Sequence, residues 1–330
     1  MSSDDYIEDV NWACKLCGST DKGASLKVKE MQLGYGDEFS YSICSNCGCM
    51  QLDQVLNDLS KYYPHDYYSF RETDNQRRFS PYNKLQEIIS KVSAKGSGHL
   101  YDYLSFLEMI DQSIYSVSQL KLEKSSSILD VGCGSGHLLR ELKYIGYENL
   151  HGIDPFATTE TRGSINVRRA SINDLTEDDT FDIIMFHHSL EHMPNQLEAL
   201  EISRDHLTYD GKILVRIPVL GYALEKYGSS WYSIDAPRHL YIHSMKSFEY
   251  IVNKAQLKLS NCYHDSSSVQ FTFSEAYQKG IPMSHISNNW YLKIMKKVIS
   301  PSFRAYHNSA LDLNAGNRGD QAVFYLSKME

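Results

Sequence analysis

From residue 125 onward, short apolar runs alternate with segments whose apolar residues recur every three or four positions. The runs SSILDVG, NLHGIDP, FDIIMFHHS and GKILVRIP predict buried strands, and HLLRELKYIG and PNQLEALEISRDHL predict helices between them. Strands that alternate with helices favour a parallel sheet with helices on both faces. We therefore predict an α/β fold built on a Rossmann-like, doubly wound sheet.

The same pattern divides the chain into three parts. Residues 1–52 contain five of the seven cysteines between short strand-like runs, and residues 53–124 show helical periodicity in NKLQEIISKV and LSFLEMIDQSIYSVSQLKL. Residues 125–330 carry the strand and helix alternation. Their last two apolar runs, QLKLSNCYHD and GDQAVFYLSK, predict strands that we expect to pair as an antiparallel hairpin. A helical insertion is predicted between these runs, over about residues 273–313.

Composition narrows the possible partners. The chain has 330 residues, of which 42% are hydrophobic, and 33 Lys and Arg oppose 41 Asp and Glu to give a formal charge of -8. No basic stripe of the kind that binds a phosphate backbone is visible, so we do not expect a nucleic-acid substrate. The polar, acidic start and the absence of a long apolar run favour a cytoplasmic protein without a membrane span. Nothing in the sequence indicates an oligomeric state.

A glycine-rich turn follows the first strand of the predicted sheet. Asp130 ends that strand, and Gly132, Gly134 and Gly136 give the spacing G-x-G-x-G before a helix. In a doubly wound sheet, ligands bind at this end of the strands. The spacing differs from the dinucleotide motif G-x-G-x-x-G, and by itself it is also compatible with a plain strand-to-helix turn.

Polar residues at the ends of the next strands strengthen the prediction of a binding cleft. Asp154 ends the second strand in GIDP, where a carboxylate can accept hydrogen bonds from ribose hydroxyls. Asn173 and Asp174 follow a third short segment, although Asp174 could equally cap the helix-like DLTEDD. His187 and His188 come directly after the fourth strand, at the same sheet edge.

ILDVGCGSG, GIDP and FDIIMFHHSLEHM together resemble the successive motifs of class I S-adenosylmethionine (SAM)-dependent methyltransferases. The resemblance covers residues 125–220 closely, and it implies SAM as the cofactor. It also implies that Asp130 and the glycines face the methionine end of SAM, Asp154 the ribose and Asp174 the adenine. The residues predicted to form this cofactor site are Asp130, Gly132, Cys133, Gly134, Gly136, Asp154, Asn173, Asp174 and His187. Within it, Cys133 occupies a position that favours a small packing residue.

Two C-x-x-C motifs, each followed by glycine, lie near the start of the chain. They place Cys14 with Cys17 and Cys44 with Cys47, with 26 residues between the pairs. Four thiolates at this spacing complete a tetrahedral zinc shell and leave no position for a catalytic water, so we predict a structural Zn²⁺. A redox role would require a thioredoxin-like unit, which the pattern does not show.

A zinc ribbon ahead of a SAM domain resembles methyltransferases of sugar and surface-polysaccharide pathways, including zinc-bearing C-methyltransferases of nucleotide-linked keto-deoxysugars. The stretch WYSIDAPRHLYIHS, which begins at Trp231, resembles the P-R-H-x-x-x-x-S segment of these enzymes. It suggests His239 as the general base, because an ordinary imidazole titrates near neutral pH; a role limited to packing is the alternative. Arg238 is predicted to bind a phosphate or carboxylate of the substrate, or else to form an internal salt bridge.

The segment H-H-S-L-E-H supplies further candidates. His188 and His192 are candidate catalytic residues, and Glu191 is a candidate substrate ligand. Because the segment lacks a clear third acidic partner, a structural or substrate-orienting role is favoured over a Mg²⁺ site. Tyr67, in the aromatic run KYYPHDYYSF, is a candidate for closing over a sugar ring, with domain packing as its alternative.

We therefore predict an enzyme that transfers a methyl group from SAM to a carbon or oxygen of a sugar, either nucleotide-linked or a surface-glycan precursor. Two other functions stay open. The acceptor could be a non-sugar small molecule methylated on oxygen or nitrogen. Alternatively, the chain could bind SAM without turnover and act as an interaction protein through its ribbon.

Overall fold

The computed structural model describes residues 12–54, 58–64, 81–157, 165–286 and 301–329. Eleven strands in these segments form two sheets. They are β1 Lys22–Lys29, β2 Glu38–Cys44, β3 Met50–Leu52, β4 Ser127–Val131, β5 Asn149–Ile153, β6 Ile165–Arg168, β7 Phe181–His187, β8 Leu207–Pro218, β9 Tyr241–Ile242, β10 Leu257–His264 and β11 Gln321–Lys328.

The larger sheet has seven strands in the order β10-β11-β8-β7-β4-β5-β6. The neighbouring strands β8, β7, β4, β5 and β6 are parallel. Within this group, β5 and β6 lie on one side of the pair β4 and β7, and β8 lies on the other side. β11 is antiparallel to β8, and β10 is antiparallel to β11. The predicted α/β class and the predicted antiparallel hairpin at the end of the chain are both confirmed.

Nine α-helices accompany the sheets in the described segments. They are α1 Pro81–Lys95, α2 His99–Phe106, α3 Gln112–Ser118, α4 His137–Tyr144, α5 Gln196–Asp205, α6 Tyr222–Tyr227, α7 Met245–Lys254, α8 Val269–Gln278 and α9 Pro301–Ala315. Of these, α8 and α9 lie between β10 and β11, where the helical insertion was predicted, although α8 already begins at residue 269.

Two local predictions differ from the structure. The run LSFLEMIDQSIYSVSQLKL forms two helices, because Glu108 has a φ of 50° and Asp111 then caps α3 by accepting from the amides of Ser113 and Ile114. The second concerns TYDG, where the sequence predicts a turn between the helix PNQLEALEISRDHL and the strand GKILVRIP. These residues lie inside β8, and the pairing of β8 with β7 shifts register between Phe181 and Ile183.

Two apolar layers cover the larger sheet. Neighbouring residues such as Ile128 and Leu129 alternate between them, as expected of strands buried on both faces. One layer contains residues of α3 and α4, and the other contains residues of α5 and α7. This arrangement is the doubly wound one, and it leaves the carboxyl ends of the parallel strands free to build a cleft. Among the described residues, no helix is long and apolar enough to cross a membrane.

The smaller sheet joins the cysteine-rich segment to the rest of the chain. Its order is β1-β2-β3-β9, all antiparallel, so a strand from residues 241 and 242 completes a sheet that otherwise lies within residues 1–52. A further apolar cluster, which includes Phe39, Tyr41, Trp231 and Ile234, packs this sheet against the segment before β9. The segment that resembles P-R-H-x-x-x-x-S therefore packs against the smaller sheet and supplies its last strand.

Candidate functional site

The glycine turn between β4 and α4 has little room for side chains. Gly132 has a φ of 77°, and a Cβ there would lie 2.5 Å from the Cβ of Ser189. The Ser189 hydroxyl donates to the carbonyl of Val131 at 2.6 Å, which fixes the loop after β7 against the turn. Gly136 has a φ of 75° at the start of α4. The backbone conformation therefore requires glycine at these positions.

We expect Gly132→Ala to weaken SAM binding at least about tenfold. The added Cβ must displace Ser189 and the loop that it holds, in addition to the strain of about 1–2 kcal/mol for alanine at positive φ. Gly280→Ala is the matched control, because Gly280 also has a positive φ (69°) but no atom within 4 Å of an added Cβ. Calorimetric titration with SAM measures the difference. Equal SAM affinity in the two variants would contradict the close-approach argument.

The two carboxylates predicted to face SAM are both buried at this edge of the sheet. Asp154 accepts from the amide of Gly134 at 2.9 Å and from the amide of Phe156 at 2.7 Å, so it ties the glycine turn to the end of β5. Burial, followed by the charge of Asp154, raises the pKa of Asp130 to about 7. Cys133 packs beside them, with its Sγ against the position where a Cβ on Gly152 would lie.

Asn173 and Asp174 are exposed and are engaged locally. Asp174 accepts from the amide of Ser171 at 2.7 Å and from its hydroxyl at 2.8 Å, so it closes a capping box at the end of the short helical turn Ile172–Asp174 and does not cap a helix over DLTEDD, which was the alternative. The Asn173 amide donates to Glu198 at 3.2 Å. The structure therefore shows local bonds for both side chains, and their contact with adenine stays a prediction.

Glu191, His192 and His239 meet at the carboxyl end of β7. His239 Nε2 lies 3.9 Å from Glu191 Oε1, and the rings of His192 and His239 contact edge to face with centroids 4.7 Å apart. The Leu240 amide donates to the Glu191 carbonyl at 2.9 Å, so the backbones of the two loops are joined as well. The structure thus brings together the two histidine-bearing motifs, which are about 47 residues apart in the sequence.

Burial changes the argument for His239 as a base. The ring is buried, and burial, followed by the neighbouring His192, lowers the pKa of His239 to about 4 against the opposing effect of Asp235 and Glu191. The expectation of an ordinary imidazole that titrates near neutrality is therefore wrong. At neutral pH the ring is uncharged, which is the form that can accept a proton.

Glu191 supplies the negative charge beside this ring. Burial opposes its ionisation, but His188, whose Nδ1 lies 3.3 Å from Oε1, and the charges of His192 and His239 bring the pKa of Glu191 down to about 2. The side chain is 1% exposed. A fixed carboxylate at this position stabilises the imidazolium that forms when His239 accepts a proton.

A row of aromatic rings connects His239 to the predicted ribose site. Tyr63 contacts His192 edge to face, and its hydroxyl lies 3.2 Å from His192 Nδ1. On its other side, Tyr63 stacks on Phe156, with ring centroids 6.1 Å apart and planes within 13°. Phe156 follows Asp154 by two residues and is 59% exposed. Sequence reasoning missed Phe156, although its position after the ribose acid could have indicated it.

Arg238 faces the protein interior. Its guanidinium is fully buried and donates to Asp235 at 3.0 Å and to Glu30, the residue after β1, at 3.2 Å. It also donates to the Tyr62 carbonyl at 3.3 Å. These bonds correspond to the internal salt bridge that was the alternative to substrate binding. Glu30 and Asp235 were not singled out in the sequence, because no local pattern connects them to Arg238.

His187, the last residue of β7, and His188, which follows it, have different surroundings. His188 has a φ of 53°, accepts from the guanidinium of Arg216 at 2.7 Å and lies 3.3 Å from Glu191 Oε1 through Nδ1. Arg216, which the sequence analysis missed, also pairs with the buried Asp265 at 2.6 Å. Neither ring nitrogen of His187 has a hydrogen-bond partner among the described residues, and burial lowers its pKa well below the usual value.

The four cysteines of the two C-x-x-C motifs converge at one end of the smaller sheet. Their sulfur atoms lie within 4.8 Å of one another, and the Sγ distances Cys14–Cys47 and Cys17–Cys44 are both 3.6 Å. Zinc bonds of about 2.3 Å in a tetrahedron place the sulfurs about 3.8 Å apart, so the arrangement fits Zn²⁺. Cys49 stands outside the cluster, with its thiol against the carbonyls of Met50 and Ile242. Tyr67 lies outside the described residues.

Residues 100–260 match the model of a family described as a methyltransferase domain. Among curated proteins, none matches the chain by sequence. The match includes the glycine turn, Asp154 and the Glu191, His192 and His239 cluster. The chain is therefore an enzyme of the SAM-dependent methyltransferase type.

Several solved structures resemble the chain at low identity. A chain of the complex that contains the Haloferax volcanii Trm112 methyltransferase activator is 14% identical and aligns over 72% of this chain and 94% of its own, with a TM-score of 0.45. A cyclopropane synthase of Mycobacterium tuberculosis is 15% identical over 73% and 98%, with a TM-score of 0.40. The 1,6-didemethyltoxoflavin-N1-methyltransferase of Burkholderia thailandensis is 11% identical over 76% and 91%, with a TM-score of 0.40.

Proposed function

We propose that this enzyme transfers the methyl group of SAM to a carbon or oxygen of a sugar, nucleotide-linked or a surface-glycan precursor, and that His239 removes the acceptor proton. The observation that carries the proposal is the buried, uncharged imidazole of His239 beside the ionised Glu191, at the end of the strand next to the glycine turn. The uncharged ring can accept a proton from an acceptor, and the ionised Glu191 favours the imidazolium that results. The sugar class rests on the resemblance of the ribbon and of the P-R-H segment.

When bound, SAM supplies an electrophilic methyl group on a sulfonium. Asp154 would accept from the ribose hydroxyls, and the turn at Gly132 and Gly134 would let the backbone approach the methionine end. His239 would take up, at Nε2, the proton that the acceptor loses when it receives the methyl group. Glu191 then stabilises the imidazolium. The products are the methylated acceptor, S-adenosylhomocysteine and one proton.

We also propose that the four clustered cysteines hold a structural Zn²⁺, with residues 1–52 as the ribbon, 53–124 as the connector and 125–330 as the methyltransferase part. All four tetrahedral positions are taken by thiolates, so the metal supports folding and takes no part in the chemistry. The ribbon contributes to the site indirectly, since the Tyr41 hydroxyl donates to the His239 carbonyl at 2.8 Å.

SAM affinity should increase with pH up to about 7 and then level off. Because the pKa of Asp130 is raised to about 7, its carboxyl is mostly protonated in the free protein at lower pH, whereas the cationic SAM favours the ionised form. Binding at low pH must therefore release this proton, and we expect affinity about tenfold lower at pH 6 than on the plateau. Calorimetric titrations across pH measure this, and Asp130→Asn should remove the dependence. An unchanged slope in that variant would assign the dependence to another group.

The proposed acceptor class is tested by mass spectrometry of reactions that contain zinc-loaded protein, SAM and a panel of nucleotide sugars, both 4-keto and fully hydroxylated. The proposal predicts a single methyl addition to a member of the panel. Methylation of non-sugar phenols or amines instead would support the first alternative. Bound SAM without turnover on any acceptor would support the interaction-protein alternative.

A further inference from the structure

A second group of potential metal ligands lies beside the base, away from the ribbon. Glu191, His192 and His239 each offer one donor atom, and these atoms lie within 4.8 Å of one another. Glu191 and His192 belong to the loop after β7, whereas His239 precedes β9. The group is thus assembled by the fold from two separate loops, and it is distinct from the four cysteines.

The Glu191 carboxylate in this group has no hydrogen-bond partner. Both of its oxygens are buried, and within the described part of the chain neither accepts a hydrogen bond. The whole residue is 1% exposed, so water does not surround the charge. A buried carboxylate without partners is strongly unfavourable unless a cation compensates it. His188 Nδ1 lies 3.3 Å from Oε1 on the rim, which leaves Oε2 and the inner side of the group unsatisfied.

Hydrogen bonds to two backbone carbonyls determine which ring nitrogen of each histidine can bind a metal. His239 Nδ1 is 2.8 Å from the Ser233 carbonyl, and His192 Nδ1 is 2.9 Å from the Arg238 carbonyl. Because a carbonyl can only accept, both Nδ1 atoms carry the proton in the neutral rings, and both Nε2 atoms are free to coordinate. Metal-binding histidines are typically oriented by such a bond from the other ring nitrogen.

We propose that Glu191, His192 and His239 bind a divalent transition-metal ion of the Zn²⁺ or Co²⁺ class, and that this ion inhibits the enzyme. Two imidazole nitrogens and one carboxylate are a donor set that suits these metals, and three protein ligands leave positions open for water. Mg²⁺ prefers an octahedral shell of oxygens, so the group does not suit it. The H-H-S-L-E-H segment has no third acidic residue to complete a metal site. His239 supplies the third ligand atom beside Glu191 and His192, and this atom is a nitrogen.

The inhibitory effect follows from the shared atom. The Nε2 lone pair that would bind the metal is the one that accepts the acceptor proton, so His239 can serve only one of these purposes at a time. This part of the proposal rests on the proposed function, whereas metal binding itself does not. Inhibition should be reversed by a chelator too weak to remove zinc from four thiolates.

Metal content and cobalt absorption test the binding without any need for turnover. Zinc-loaded full-length protein is incubated with Co²⁺, desalted and analysed by plasma mass spectrometry. We expect one Zn²⁺ and one Co²⁺ per chain, and weak visible absorption bands from the cobalt. An intense near-ultraviolet thiolate band should be absent, because it would appear only if Co²⁺ had replaced Zn²⁺ at the four cysteines. Glu191→Gln and His192→Ala should each lose the Co²⁺ and keep the Zn²⁺. His285→Ala, a change of an exposed histidine, should keep both.

Retained SAM binding by Glu191→Gln and His192→Ala would show that loss of Co²⁺ does not reflect unfolding. The proposal is overturned if unaltered protein retains no Co²⁺ after desalting, or if both variants retain it. The inhibitory part is overturned if Co²⁺ binds but turnover stays the same. If metal-free preparations show no turnover on any acceptor, the proposed function fails, and the cobalt stoichiometry still decides the metal site.

Discussion

His239→Gln should lower kcat by about 10²–10⁴-fold and leave SAM affinity within about twofold. A glutamine can keep a bond to the Ser233 carbonyl, which His239 Nδ1 makes at 2.8 Å, but it offers no nitrogen that can take up a proton. Turnover is measured on the acceptor found in the panel, and SAM binding is measured by calorimetry. The loss should appear in kcat as well as in kcat/KM, because the missing interaction acts in the reacting complex.

His285→Gln is the control for this substitution, since it makes the same chemical change on an exposed histidine away from the cluster. It should retain the turnover of the unaltered enzyme. If His239→Gln also retains turnover, the base must be sought elsewhere, and His239 would have only a packing role in the loop before β9.

Cys44→Ser should remove the zinc and reduce turnover at least about tenfold, although Cys44 is remote from the proposed chemistry. Loss of one thiolate opens the tetrahedral shell, and structural zinc sites of this kind contribute several kcal/mol to folding. The smaller sheet would then lose its hold on the catalytic loop, which is made through the Tyr41 hydroxyl and the pairing of β3 with β9. SAM affinity should change little, because the residues predicted to bind SAM lie on the larger sheet.

Cys49→Ser is the matched control, since Cys49 is equally buried beside the ribbon but is not one of the four clustered cysteines. It should keep one zinc per chain and most of the activity. Zinc content, SAM affinity and kcat are measured for both variants. Full turnover by zinc-free Cys44→Ser protein would show that the ribbon does not position the loop.

The parts of the fold that follow from local pattern were predictable from the sequence. Apolar runs of strand length, separated by helices of period 3.6, predicted the parallel strands and their order along the chain. The glycine spacing predicted the turn after β4 because only glycine tolerates the backbone angles there. The cap predicted for Asp174 differs from the structure, because Asp174 bonds back to Ser171, three residues before it, and no helix follows it in DLTEDD.

Contacts between distant segments were not predictable in this way. The ion pair of Arg238 with Glu30 joins residues 208 positions apart, and the pairing of β3 with β9 depends on a strand of two residues. The convergence of Glu191 with His239 likewise depends on the packing of two loops. The pKa of His239 is low because its ring is buried, and the burial of one histidine cannot be predicted from its residue type alone.

The account is tested most directly by nuclear magnetic resonance of a reaction with SAM labelled by ¹³C at the methyl group, the 4-keto and hydroxylated nucleotide sugars, and zinc-loaded protein. We predict that the label is transferred to one sugar. If the acceptor is a 4-keto sugar, the label should appear on a carbon that also takes up deuterium in D₂O. If the acceptor is a hydroxylated sugar, the label should appear on an oxygen. His239→Gln should abolish this transfer while SAM still binds. Label that stays on SAM with every sugar, or transfer that persists in His239→Gln, would contradict the account.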